Sequence, residues 1–172
     1  MATVLETPER DAVEHDRTAF NLAVWDKICA DPELAKLPYR IETDEFGQII
    51  MSPPPAPSHG SKQSRISRHL GNLITHGEVV SECPISTSKG VKAADVAWCS
   101  EAIWSEAEKL SCFPKAPEIC VEVVSPSNTT GEIEQKKRLY FEAGAKEVWT
   151  CSETGAMQFF QHPDKTIPSS DI

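Results

Sequence analysis

Between Glu78 and Val124 the sequence carries three strand-like runs, EVVSECPI, VKAADVAW and EICVEVV. They are short, rich in β-branched residues and bounded by turn chemistry, which reads as strands and not helices. The second and third are apolar enough to be covered on both faces. A chain holding such strands must build a sheet and pack helices on it, so an all-α bundle and a disordered chain are excluded.

The flanking segments supply the helices. Phe20, Val24 and Ile28 recur at i, i+4, i+8, so a helix is expected over 18–30, with Asp16 or Thr18 as cap and a frayed arm over 1–16. Pro32 opens a short helical turn. YRIET and QIIMS read as a hairpin around DEFG. SPPPAPSHG reads as a rigid loop, because its prolines remove backbone donors. Ile66, Leu70, Leu73 and Ile74 mark an amphipathic helix ending near Gly77, with Lys62, Arg65, Arg68 and His69 on its polar face. SEAIWSEAEKLSCFPKAP is a polar, partly helical insertion. Thr129 and Glu132 form a capping box for a helix over 131–143 that Gly144 ends. EVWTC and AMQFF form a hairpin around SETG, and the tail after it has no clear pattern. The expected fold is α/β (α+β), a mixed central sheet flanked by helices, with a single domain over 17–172.

The chain of 172 residues has a net charge of −9, which gives no general attraction to phosphate. Only residues 58–92 are basic, with five Lys and Arg against two Glu. No apolar run approaches the roughly 20 residues of a membrane span, and the N-terminus has no secretory pattern. The six cysteines lack metal-ligand spacing and several fall in apolar runs. Six free thiols in a reducing, cytoplasmic setting are expected, with Cys120 buried beside Glu122.

Two acids stand where acids are expensive. Asp95 lies between Ala94 and Val96, and Glu122 between Val121 and Val123. A lone buried carboxylate costs several kcal/mol unless paired, and two on neighbouring strands repel. Either one alone reads most simply as an acid at a strand end or in a salt bridge. A divalent cation resolves both costs together, and Mg²⁺ favours one or two carboxylates plus water and phosphate. The expectation is that the two share one metal on adjacent strands. On the following helix, Glu132, Lys136 and Tyr140 fall on one stripe beside the buried side marked by Ile133 and Ala143. Lys136 is expected to lean back toward the end of the Glu122 strand, with Lys137 facing solvent or substrate.

The series MSPPPAPSHG, ADVAW, APEICVEVVSPS and KKRLYFEAGAKEVW resembles the Uma-two family, grouped with restriction-type endonucleases in the PD-(D/E)xK nuclease superfamily. The resemblance runs from about Tyr39 to Phe160. It implies a restriction endonuclease-like core and Mg²⁺ or Mn²⁺ as cofactor. It makes Asp95 and Glu122 metal ligands together with the carbonyl near Val123. The superfamily lysine two places after Glu122 is replaced by Val124. The family is similar in this, its lysine moving to the helix four residues before a tyrosine, here Lys136 before Tyr140. Glu42 and His59 match a recurring acid and a recurring histidine. Ala94 stands where the family often has Pro, and EVWTCSE where it often reads EYWLVD. Those departures bear on the sheet edge and any dimer contact, not on the metal site.

The implied activity is metal-dependent hydrolysis of DNA phosphodiesters, with Asp95, Glu122 and Lys136 catalytic and Glu42, His59 and Tyr140 accessory. Lys62, Arg65, Arg68 and Lys137 would hold the nucleic acid, and a homodimer is expected. A rival from another class is a non-catalytic nucleic-acid- or protein-binding module on the same fold. The paired acids favour catalysis, because a pure binder gains nothing from burying two like charges.

Overall fold

The computed structural model describes residues 8–172, with side chains described from His15 onward. Helix α1 (Pro8–Ala30) leads through a 3-10 turn (Leu34–Lys36) to a hairpin of β1 (Arg40–Thr43) and β2 (Ile49–Ser52). Then follow α2 (Pro57–Leu73), β3 (Glu78–Thr87), β4 (Gly90–Cys99), α3 (Glu101–Ala107), β5 (Ile119–Val123), α4 (Thr130–Glu142), β6 (Glu147–Cys151), β7 (Met157–His162) and β8 (Lys165–Ile167).

The main sheet has strand order β3-β4-β5-β6-β7-β8 and is mixed. Its one parallel pair is β5 with β6, and α4 is the crossover that such a pair requires. Every residue of β4, β5 and β6 is buried, as their apolar density demands. One face packs Cys83, Ala97, Cys120 and Val148 against Ala107 of α3 and Tyr140 of α4. The other packs Val96, Trp98, Val121 and Trp149 against Leu70 of α2. A third cluster joins Trp25 of α1 to Val91 and Cys112. All six cysteines are free; Cys29 is exposed and the other five are buried. No described helix is long and apolar enough to cross a membrane.

Several local expectations shift. α1 begins at Pro8, so the arm expected over 1–16 is helical from that point; residues 1–7 lie outside the described ones. The rigid loop spans only 53–56. Pro57 occupies the first turn of α2, where a missing N–H costs nothing, so His59 is helical. α2 stops at Leu73, which is 81% exposed and not part of the buried stripe. The unpatterned tail contributes β8, a three-residue edge strand paired to β7.

What positions the site is a parting between two central strands. The β4–β5 ladder runs from Trp98↔Ile119 to Val96↔Val121 and ends there. Asp95 and Glu122 are the next residues on each side. Beyond them β4 still has a buried edge whose backbone groups need partners. The β1 hairpin supplies them. Val91 N–H donates to Thr43 Oγ1 at 2.8 Å, and Ala93 N–H to Glu42 Oε1 at 2.9 Å. The Ala93 carbonyl accepts from Arg40 and, at 3.1 Å, from Lys136 Nζ. Side chains thus replace a ladder, and a polar crevice forms inside the sheet.

Candidate metal and phosphodiester site

Asp95 is 1% exposed. Its Oδ2 accepts from Val123 N–H at 2.6 Å, so the side chain fills the ladder position where the strands part. Its Oδ1 accepts from Arg40 Nη1 at 2.7 Å and lies 3.3 Å from His59 Nε2. Burial pushes Asp95 up, but His59, Arg40 and the Val123 amide together hold its carboxyl below the usual aspartate range.

Glu122 is 4% exposed and takes the opposite course. Burial, with the charge of Asp95 adding to it, raises its pKa to about 7, although Lys136, Arg40 and the Tyr140 hydroxyl oppose the rise. Tyr140 donates to Oε1 at 2.6 Å, and Lys136 Nζ lies 3.4 Å from each oxygen. Two neighbouring acids driven in opposite directions is the arrangement that marks acid–base and metal chemistry.

Lys136 sits between Glu122 and Glu42, whose Oε1 is 2.8 Å from its Nζ. Burial disfavours its charge, yet these two carboxylates raise its pKa and keep the ammonium protonated. The leaning of helical side chains toward the N-terminus carries it back to the strand end. Glu42, His59 and Tyr140 therefore join Asp95, Glu122 and Lys136 in one crevice.

Lys137 does not join them, and this corrects the expected solvent-facing position. It is 3% exposed, its Nζ lies 2.8 Å from Glu134 and 3.9 Å from the Phe160 ring centroid. The buried stripe of α4 runs Ile133–Lys137–Tyr140, at i, i+4, i+7, so Lys137 covers the sheet with its stem. On α2, Arg65 and Arg68 are exposed and Lys62 is half-buried.

Three residues of the crevice escape the reading of the sequence. Arg40 donates to Asp95, and four carboxylates (Glu122, Asp95, Glu82 and Glu42) overcome its burial and raise its pKa. Glu82 lies 3.1 Å from Arg40 Nε. Gln63 donates to Glu82 Oε1 and to the Asp95 carbonyl, both at 2.8 Å. Each left a signal. Arg40 is two places before Glu42 on one strand face, Gln63 is one helical turn after His59, and Glu82 is an acid inside a strand-like run. Glu82 also has φ 52° and is the one non-glycine residue with positive φ among those described. The β3–β4 ladder skips the Glu82/Asp95 pair. Of the three buried side-chain polar atoms without a partner among the described residues, Arg40 Nε and His59 Nδ1 belong here. Strain and unsatisfied polarity at one place are the marks of a functional site.

Can this crevice hold a cation? Asp95 and Glu122 offer carboxylate oxygens, and the Val123 carbonyl leaves its strand on the same edge as the amide that meets Asp95. That donor set suits a hard ion that keeps much of its water, as Mg²⁺ does. Among the described residues no three His, Cys, Asp or Glu side chains gather at metal-holding distance.

A family model named Uma2 and described as "Putative restriction endonuclease" matches residues 31–171. No curated protein matches the chain. Among solved structures, the chain is similar to a putative nuclease of the DUF820 group from Anabaena variabilis, with a TM-score of 0.62 at 17% identity, covering 85% of this chain and 88% of that one. At that identity the likeness shows a shared fold. With the match extending over most of the chain, the protein belongs to the Uma2 family.

Proposed function

We propose that this protein is a divalent-metal-dependent endonuclease hydrolysing DNA phosphodiesters. One observation carries the reading. Where β4 and β5 part, two buried acids of opposite pKa shift meet a lysine delivered by the next helix. Asp95, Glu122 and the Val123 carbonyl would hold Mg²⁺ or Mn²⁺. Such an ion, when bound, polarises a phosphoryl oxygen and lowers the pKa of its water.

The chain's own residues do the rest. The Val123 amide and His59 orient Asp95, and Tyr140 orients Glu122. Lys136 presents a fixed positive charge to the negative charge that grows on the phosphorane. Glu42 keeps that ammonium in place. Arg40 neutralises Asp95 in the free protein and would add a second positive charge beside a bound phosphate. Lys62, Arg65 and Arg68 on α2 track the strand backbone.

The test is cleavage of plasmid and single-stranded DNA with Mg²⁺ or Mn²⁺, beside thermal unfolding with and without the ion. Asp95→Ala is expected to lose both cleavage and metal stabilisation. The binding-module reading is favoured by Arg40 and Lys136 already compensating the acids. Nucleic-acid binding that persists without cleavage in any metal would establish that reading instead.

A further inference from the structure

Arg40 commits its whole guanidinium to the crevice. Its Nη1 donates to Asp95 Oδ1 at 2.7 Å, its Nη2 donates to the Ala93 carbonyl, and its Nε faces Glu82 at 3.1 Å. Glu82 is held in turn by Gln63 of α2, on a backbone of positive φ where the β3–β4 ladder is interrupted. A planar fork is therefore aimed at one buried carboxylate and braced from behind by a second.

Asp95 has little acceptor capacity left. A carboxylate accepts at about four lone-pair sites. Arg40, His59 Nε2 at 3.3 Å and the Val123 amide at 2.6 Å occupy three of them. Of these three partners only Arg40 is permanently charged. Lys136, the other cation beside the two acids, is placed differently. Its Nζ is closest to Glu42, at 2.8 Å, and stands 3.4 Å from Glu122. Glu42 is not among the proposed ligands. A dication sharing Asp95 with a guanidinium is repelled by it at short range, where little water screens the two. Without the guanidinium, the metal-free protein would bury a carboxylate with no cation beside it.

We propose that Arg40 is an internal counter-cation: it stands in for the metal at Asp95 while no ion is bound, and by competing for that carboxylate it weakens divalent-ion binding to the free protein. It is a positioning residue, acting on the ion through Asp95. The inference rests on the metal-dependent nuclease reading and adds to it a restraint on metal occupancy. It reverses the sign expected of a supporting contact. Partners that orient metal ligands strengthen binding, and their loss weakens it roughly 10–100-fold. Loss of Arg40 should tighten it.

The experiment titrates Mn²⁺ into the full chain without nucleic acid, reading free ion by electron paramagnetic resonance. Arg40→Met keeps a long stem and removes the charge; it is expected to bind about tenfold tighter than the wild type. Arg40→Lys restores the charge and should return affinity toward the wild-type value. Lys136→Ala removes the same single positive charge but should stay near wild type. Adding Asp95→Asn to Arg40→Met should abolish the gain. In thermal unfolding, Arg40→Met should melt below the wild type without metal and gain more from added Mg²⁺. Should that variant not fold, the wild type still carries the test. The Arg40 Nε–Hε magnetic resonance signal, assigned by its loss in Arg40→Lys, should shift as Mg²⁺ saturates the site. Unchanged or weaker binding in Arg40→Met, equal tightening in Lys136→Ala, or an Arg40 signal that ignores saturating Mg²⁺ overturns the proposal. Any of these beside cleavage that depends on Asp95 leaves the nuclease standing. Tight binding in Arg40→Met that needs Asp95, with no cleavage in any metal, keeps the counter-cation and sinks the nuclease. No metal bound by any variant sinks both.

Discussion

Lys136 and Lys137 are adjacent, identical in chemistry and opposite in use. A rotation of about 100° per residue turns one into the polar crevice and lays the other along the sheet. Lys136→Ala is expected to abolish phosphodiester cleavage while leaving metal titration nearly unchanged, because it removes a charge beside the proposed ligands and not one of them. Lys137→Ala should leave cleavage intact and lower stability by about 1–2 kcal/mol, from the lost cation–π contact and buried stem. Plasmid cleavage and urea unfolding of the two variants separate the roles. Cleavage lost in Lys137→Ala with unfolding unchanged would reverse the assignment. The buried position of Lys137 was not legible in the sequence, since lysine at a helix position between charged neighbours reads as solvated. The ring of Phe160, brought in by β7, and the carboxylate of Glu134 together make its burial tolerable.

At the scale of elements, the hairpin β1–β2 matters more than its eight strand residues suggest. It stays outside the main sheet, yet it satisfies the buried edge of β4 and delivers Arg40 and Glu42. Its seat is Gly90, with φ +90°, where a Cβ would stand 2.3 Å from the Asp44 carbonyl oxygen and 2.5 Å from that of Thr43. Gly90→Ala is therefore expected to cost at least about 2 kcal/mol and to lose cleavage as well, because the hairpin must lift off. Gly60→Ala in α2, where an added Cβ meets nothing within 4 Å, is the control and should be neutral or slightly stabilising. Denaturant midpoints and cleavage rates of both check this. By contrast, α4 was readable from its local code. Thr129 accepts from Glu132 N–H at 3.2 Å while Glu132 accepts from Thr129 N–H at 2.8 Å, the reciprocal cap that its spacing predicts.

For the molecule as a whole, the crevice makes stability depend on pH in a definite direction. Glu122 keeps its proton to about pH 7 when folded but loses it near 4.5 when unfolded. Between those values the folded state binds the extra proton, so stability falls as pH rises, by about 3 kcal/mol in all. His59, raised by its hydrogen bond to Asp95, adds a contribution that is full below pH 6.5 and is lost as pH climbs through its folded value. Burial pushes Glu42 up as it does Asp95, but Lys136 holds it below its ordinary value, so both acids withdraw their stabilisation in stronger acid. The metal-free protein is thus expected to be most stable near about pH 5 and to melt at lower temperature at pH 8. Glu122→Gln should flatten that decline, and a flat wild-type profile would overturn the account. If the proposed metal role holds, Mg²⁺ at pH 8 should restore much of the loss, because the ion would bind the ionised carboxylate.

Apolar run length, β-branching and capping chemistry are local properties, and they determined every strand but β8, most of the helices and the mixed sheet. The cost of burying charge is also legible in one dimension, which is why Asp95 and Glu122 stood out before any contact was known. Partnership between distant segments is not. The ends of the β4–β5 ladder, the hairpin that covers the gap, and the approach of Arg40 and Glu82 from separate strands depend on how the chain returns upon itself. Tertiary structure alone decided that two acids driven oppositely in pKa, two permanent cations and a strained glutamate share one crevice. Electrostatic energy depends on separation in space, and sequence records only separation along the chain.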